Sequence, residues 1–147
     1  MVAVKHTLVC LIAACALATA GCSTSADTTS TTTTTTAPTS PLVVENFSGT
    51  VQPAGNDAHS FTVISNNAAI TLGLTSVGPP ATISEGFGIG QTVSGNCQLL
   101  SGGFGTFAAS TTPQLSGTIP AGTYCVLVYD VGNQAAAVTY TVVVQHY

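Results

Sequence analysis

The sequence predicts an all-β fold, a two-sheet antiparallel β-sandwich of about eight or nine strands. Three observations predict it. Short runs rich in β-branched, aromatic and Leu residues recur with Gly, Pro and Asn signals between them. Several runs alternate apolar and polar residues with a period of two, which gives a strand one buried face and one wetter face. Beyond residue 41 no stretch carries a convincing helical period.

Taken in order, residues 42–51 form the first strand, closed by Pro53-Ala-Gly-Asn56. Residues 59–65 follow, with Phe61 and Val63 on one face. Residues 69–77 set Ile70, Leu72 and Leu74 against Thr71, Gly73 and Thr75, and Gly78-Pro79-Pro80 ends them. Ile83, Phe87 and Ile89 suggest a strand interrupted by Gly86, Gly88 and Gly90. Residues 97–100 are another short strand, and Gly102-Gly103-Phe104-Gly105 turns the chain towards residues 106–109. Leu115–Ile119 leads to the turn Pro120-Ala-Gly122. Residues 123–131 and 137–144 then read as two long strands joined by a polar Gly132-Asn133 turn, a hairpin able to form the centre of the core.

Charge narrows the function classes. Charged residues are 4% of the 147, against about 25% in an ordinary soluble domain. Lys5 is the sole Lys or Arg, and the carboxylates are Asp27, Glu45, Asp57, Glu85 and Asp130. Nucleic-acid binding needs cations to displace counterions from phosphates, so it is excluded. Beyond Lys5, ion pairs between side chains require a protonated His59 or His146. Solubility falls to Thr, Ser, Asn and Gln.

The chain divides into residues 1–21, 22–41 and 42–147. A short segment bearing Lys5 precedes an apolar run of 13 residues, 8–20, too short to span a bilayer and suited to a signal-peptide core. Thr19-Ala-Gly-Cys22 resembles the bacterial lipobox, which implies lipidation of Cys22 and a membrane anchor in the cell envelope. Cys15 fits the local pattern with a shorter core before it, and a secreted form without lipid is the remaining reading. Ser23 follows Cys22 where Asp would retain a lipoprotein in the inner membrane, which by the same resemblance implies the outer membrane. Residues 23–41 are low in complexity, with an unbroken Ser/Thr run over 28–36, and read as a disordered tether on the order of 25 Å in reach. O-glycosylation is the alternative use of that run.

Cys97 and Cys125 are the cysteines left for the domain. Their even number and the oxidising compartment predict a disulfide, which closes a loop of about 29 residues and stabilises the fold by roughly 3–4 kcal/mol.

Phe47-Ser-Gly-Thr-Val51, His59-Ser-Phe-Thr-Val63, Ile70-Thr-Leu72 and Pro120-Ala-Gly-Thr-Tyr-Cys-Val-Leu-Val-Tyr-Asp130 resemble, in this order, the motifs of bacterial pre-peptidase C-terminal domains. The resemblance covers nearly all of residues 42–147. It implies a jelly-roll-like sandwich of the kind appended to secreted enzymes. No peptidase domain precedes it here, so an accessory role to a linked enzyme is not expected. Thr82-Ile-Ser-Glu-Gly86 replaces the Asp-rich segment of many members, which weakens calcium binding as an implication.

Candidate sites are few. A Ser-His-Asp mechanism needs His59 or His146 beside a nucleophile, and Ser60 points away from its neighbour His59 in a strand. Gly86-Phe-Gly-Ile-Gly90 and Gly103-Phe-Gly105 lack the following helix of a phosphate loop and read as turn glycines. Asn56, Asp57, Asp130 and Asn133 are the candidate calcium ligands if their loops converge, the plainer reading being that each caps its own turn. Phe87, Phe104 and Phe107, in Gly-rich surroundings, are the candidate exposed patch for a ligand. Together these features predict a non-catalytic, lipid-anchored structural or interaction module of the bacterial envelope. The alternative is a module binding glycan, peptide or calcium, with an envelope protein or glycan as partner. An enzyme is a remote third.

Overall fold

The structure is a computed structural model and describes residues 40–147. The expected signal peptide, Cys22 and the Ser/Thr run lie outside the described residues. Eight strands follow one another: β1 Val43–Val51, β2 Asn56–Val63, β3 Ala68–Gly78, β4 Ser84–Val93, β5 Asn96–Ala108, β6 Leu115–Ile119, β7 Gly122–Tyr129 and β8 Val138–His146. They form two four-stranded sheets, β1-β8-β3-β6 and β2-β7-β4-β5, in which every pairing is antiparallel. This interleaving is jelly-roll order, and the predicted sandwich is what the chain forms.

Period-two alternation builds the core. In β8, Val138, Tyr140, Val142, Val144 and His146 are buried while the residues between them are more open. Ile70, Leu72 and Leu74 of β3 join them from the same sheet, and Tyr124, Val126 and Val128 of β7 with Phe87 and Ile89 of β4 face them from the other. Each fully buried Val, Leu or Phe contributes about 1.5–3 kcal/mol of apolar transfer. At the start of β7 the Tyr124 hydroxyl donates to the Pro120 carbonyl at 2.9 Å, fixing the corner by which the chain changes sheets. Where β6 stops short, the Gln114 side chain substitutes for a strand. Its Oε1 accepts from Leu74 N at 2.8 Å and its Nε2 donates to the Leu74 and Ala108 carbonyls at 3.2 and 3.1 Å.

Three expectations are corrected. Residues 123–131 and 137–144 are not a hairpin: β7 pairs with β2 and β4, and β8 with β1 and β3, in opposite sheets. Both arrangements bury alternate residues, so periodicity does not distinguish them. The connection does, because a tight hairpin takes about two residues and this one runs from Asp130 to Ala137. Second, Gly86, Gly88 and Gly90 are not turn glycines but lie inside the continuous strand β4. Third, residues 97–109 are not two short strands. Gly103 and Gly105 lie within β5, which is one strand with a bulge opposite Ile89, where Gly102 takes φ +78°.

The short connections give the sandwich two distinct ends. The near end, where the described chain begins, gathers the start of β1, the end of β8 and residues 64–67, 94–95 and 120–121. The far end gathers residues 52–55, 79–83 and 130–137.

Candidate functional site

The glycines of β4 shape the outer face of its sheet. A Cβ on Gly86 would lie 2.2 Å from the Tyr129 ring, and one on Gly88 would lie 2.3 Å from Phe104 Cβ. On Gly90 a Cβ would meet the Gln98 carbonyl oxygen at 2.4 Å and Cys97 Sγ at 2.9 Å. Lacking side chains there, β4 lets Tyr129, Phe104 and the start of β5 lie flat across it. Cys97 and Cys125 are disulfide-bonded as expected, with Cα atoms 5.8 Å apart, and the bridge joins β5 to β7 over Gly90. The outer surface that results is apolar. Phe104 is 48% exposed, and half-buried Leu99, Leu127 and Tyr129 share its face.

The other two phenylalanines of the expected patch are elsewhere. Phe87 is fully buried on the inner face, and half-buried Phe107 packs edge-on against it at 6.0 Å between ring centroids. Odd-numbered residues of β4 point inwards, so Phe87 was never available to a ligand. Phe104 falls beyond the bulge of β5 and pairs with Gly88 instead.

The flank between edge strands β1 and β2 is closed by an aromatic and polar seam. Tyr140 donates its hydroxyl to Asp57 Oδ2 at 2.9 Å and lies 2.9 Å from His59 Nε2. Phe47 stacks on His59 at 5.2 Å, and Phe61 stacks on His146 at 5.7 Å. The buried His146 reaches Glu45 Oε1 at 3.1 Å, and His59 Nε2 lies 3.7 Å from Asp57. Among the described residues these are the ion pairs, both dependent on protonated His, as the composition required. Burial and the Asp57 carboxylate push the Tyr140 phenol well above its ordinary range. His59 and Ser60 do point to opposite faces: Ser60 pairs with Cys125 on the outer face, and His59 packs in the seam.

The opposite flank, between β5 and β6, is open. A cleft of 220 Å³ enters between Ile89, Leu100 and Gly103 on one side and Leu115, Gly117 and Ile119 on the other.

Asp57 and Asp130 belong to different networks. One Asp130 oxygen accepts from the backbone of Gly132, Asn133 and Gln134 at 2.7, 3.0 and 3.3 Å, the other from Ala54 at 2.7 Å. These bonds, that from Ala54 foremost, hold its carboxyl below the usual range. Asn133 donates its amide to the Ser84 carbonyl at 2.8 Å, and Asn56 is exposed at the start of β2. Among the described residues no cluster of three His, Cys, Asp or Glu is placed to hold a metal ion.

One acid was overlooked. Glu85 is completely buried on the inner face of β4, and Gln134 Nε2 donates to its Oε2 at 2.8 Å. Its Oε1 and Gln134 Oε1 have no hydrogen-bond partner among the described residues. Desolvation raises its pKa above the ordinary 4.5, opposed by the Gln134 bond and assisted by Asp130. Both unpartnered oxygens are acceptors, an environment that, with the desolvation, favours the protonated carboxyl over the carboxylate. Reading Ile83, Glu85, Phe87 and Ile89 as one inward-facing set would have found it.

No family model and no curated protein sequence matches the chain. Among solved structures it is similar to PliG of Aeromonas hydrophila, a periplasmic lysozyme inhibitor of g-type lysozyme. The match has a TM-score of 0.45 and 14% identity over 71% of this chain and 86% of that one. The PliG of Salmonella Typhimurium gives a TM-score of 0.43 and 16% identity over 71% and 87%. At these values the likeness carries no argument about what this chain does.

Proposed function

We propose that this chain is a non-catalytic interaction module, anchored by a lipid on Cys22 to an envelope membrane outside the cytoplasm. It presents the outer face of the β2-β7-β4-β5 sheet to a peptide or glycan partner. The observation that carries the reading is Phe104. It is a large aromatic, half exposed on the outer face of the edge strand β5, lying over Gly88 and sharing that face with Leu99, Leu127 and Tyr129. Aromatic side chains so placed contribute contact area to a partner at little entropic cost. The Cys97–Cys125 bridge supports a compartment outside the cytoplasm. The quoted pre-peptidase C-terminal motifs fall on β1, β2, β3 and β7 of a jelly roll, which supports that relationship as a proposal.

The test is an array of envelope glycans and peptides, with and without calcium. Binding lost in Phe104→Ala and kept in Ile64→Ser, at the near end, is the expected result. A blank array, or binding indifferent to Phe104, sinks the ligand face.

A further inference from the structure

We propose that the near end of the sandwich rests on the lipid bilayer to which the chain is anchored, with the strands standing along the membrane normal. The inference builds on the lipid-anchor reading above. It starts from where the exposed apolar side chains are. Leu42, Val43, Val44, Ile64, Val93 and Tyr147 are all exposed, and registers place all six at one end. Val43 is aligned with His146, next to Tyr147. Val63 is aligned with Gly122, and Val93 with Asn96 in the hairpin between β4 and β5. Only Phe104 on the sheet face and Val131 at the far end stand apart among the exposed large apolar residues described.

Charge is distributed the other way. Asp57, Glu85 and Asp130 lie at the far end, in or beside its loops. Residues 64–67, 94–95 and 120–121 contain no charged side chain, and among the described residues the one acidic side chain at the near end, Glu45, is engaged by His146. An envelope membrane with anionic lipid repels carboxylates and tolerates uncharged apolar tips, so this polarity suits one orientation.

The chain also enters at this end. Ser40 hydrogen-bonds Ser65 through their hydroxyls, and only residues 23–39 separate it from Cys22. Fully extended, those 17 residues reach at most about 60 Å, whatever their conformation. Held that close, the end meets the bilayer at an effective concentration near the millimolar range, so a modest apolar patch without cations suffices. The orientation leaves the Phe104 face upright and open to a partner.

The sequence contains no Trp, so Ile64→Trp and Val131→Trp each install a sole reporter, at positions already exposed. In a chain beginning at Cys22 the disulfide leaves one free thiol. That thiol is coupled to a maleimide lipid in vesicles of phosphatidylethanolamine and phosphatidylglycerol with brominated acyl chains. The Trp at 64 is expected to lose about half its emission and the Trp at 131 none, matching tips that enter the interface by about 5–10 Å. Adding Leu42→Ser and Val44→Ser restores the emission at 64. Equal, unquenched emission from both positions overturns the proposal. So does a concentration-dependent blue shift at 64 without lipid, which assigns the end to a second copy of the chain. The coupling is chemical, so these outcomes stand apart from native lipidation. An unmodified Cys22 in protein from its own cells removes the anchor reading alone.

Discussion

The two flanks of the sandwich solve the same problem differently. Each brings together one edge strand from each sheet, and each exposes the seam between them to water. Between β1 and β2 the seam is filled by Phe47, His59, Tyr140, Phe61 and His146, tied to Asp57 and Glu45. Between β5 and β6 it is left as a cleft, and the edge strand β5 is secured from outside by the disulfide over Gly90. A chain with almost no charge therefore closes one flank with shared hydrogen bonds and stacked rings, and holds the other with a covalent bond.

The largest expected effect breaks the second device. Replacing Cys97 and Cys125 together by Ala is expected to lower unfolding stability by about 3–4 kcal/mol on the chain-entropy account, measured by urea denaturation. A loss well under 1 kcal/mol would mean that β4 pairing alone secures β5.

A matched pair of glycines sharpens the contrast. A Cβ on Gly49 of β1 would lie 2.0 Å from Asp57 Oδ2 and 2.7 Å from the Tyr140 hydroxyl, so Gly49→Ala is expected to cost about 1–3 kcal/mol. Gly117 of β6 has nothing within 4 Å of that position. Gly117→Ala is expected to be neutral or to stabilise by about 0.4–1 kcal/mol. Equal effects at the two sites would erase the distinction between a filled and an open flank.

Tyr140→Phe keeps the ring and removes the hydroxyl that Asp57 and His59 share. A loss of about 1–2 kcal/mol is expected, and thermal unfolding of the variant checks it. No measurable change would reduce the seam to apolar packing.

Glu85→Gln tests the buried acid away from both flanks. Its pKa is raised in the fold, so the folded chain keeps a proton that the unfolded chain has released. Its contribution to stability is therefore lost as pH rises from about 4.5 through the raised value. The variant is expected to be more stable than the parent at neutral pH, with the difference shrinking as pH falls towards 4.5. Asp130, whose pKa is lowered, acts in the opposite sense in both chains and cancels from the comparison. Denaturation midpoints across that range read the difference, and a constant gap would place the proton elsewhere.

Much of this was legible in the residues. Leu115–Ile119 is a strand with the expected bounds, and Pro120-Ala-Gly delivers the chain into β7. The disulfide followed from counting cysteines. The filled flank was not legible, because His59, Tyr140 and Asp57 are brought together by pairings more than 80 residues apart. The Phe patch breaks up by alternation: Phe87 shares the inward parity of Ile89 in β4, and Phe104 and Phe107, three residues apart in one strand, take opposite faces. What left no mark in the sequence is the bulge opposite Ile89, which puts Phe104 rather than Phe107 on the outer face with Leu99.

By itself the sequence determined what is set by alternation, composition and turn chemistry: an all-β sandwich, low in charge and closed by one sulfur bridge. Only the tertiary structure decided which strands are neighbours, why β4 needs its glycines, and that apolar tips gather at one end with carboxylates mostly at the other. The reason is that an alternating strand records that it has a buried face but not what covers that face. Partner and register are fixed by the packing of both sheets at once.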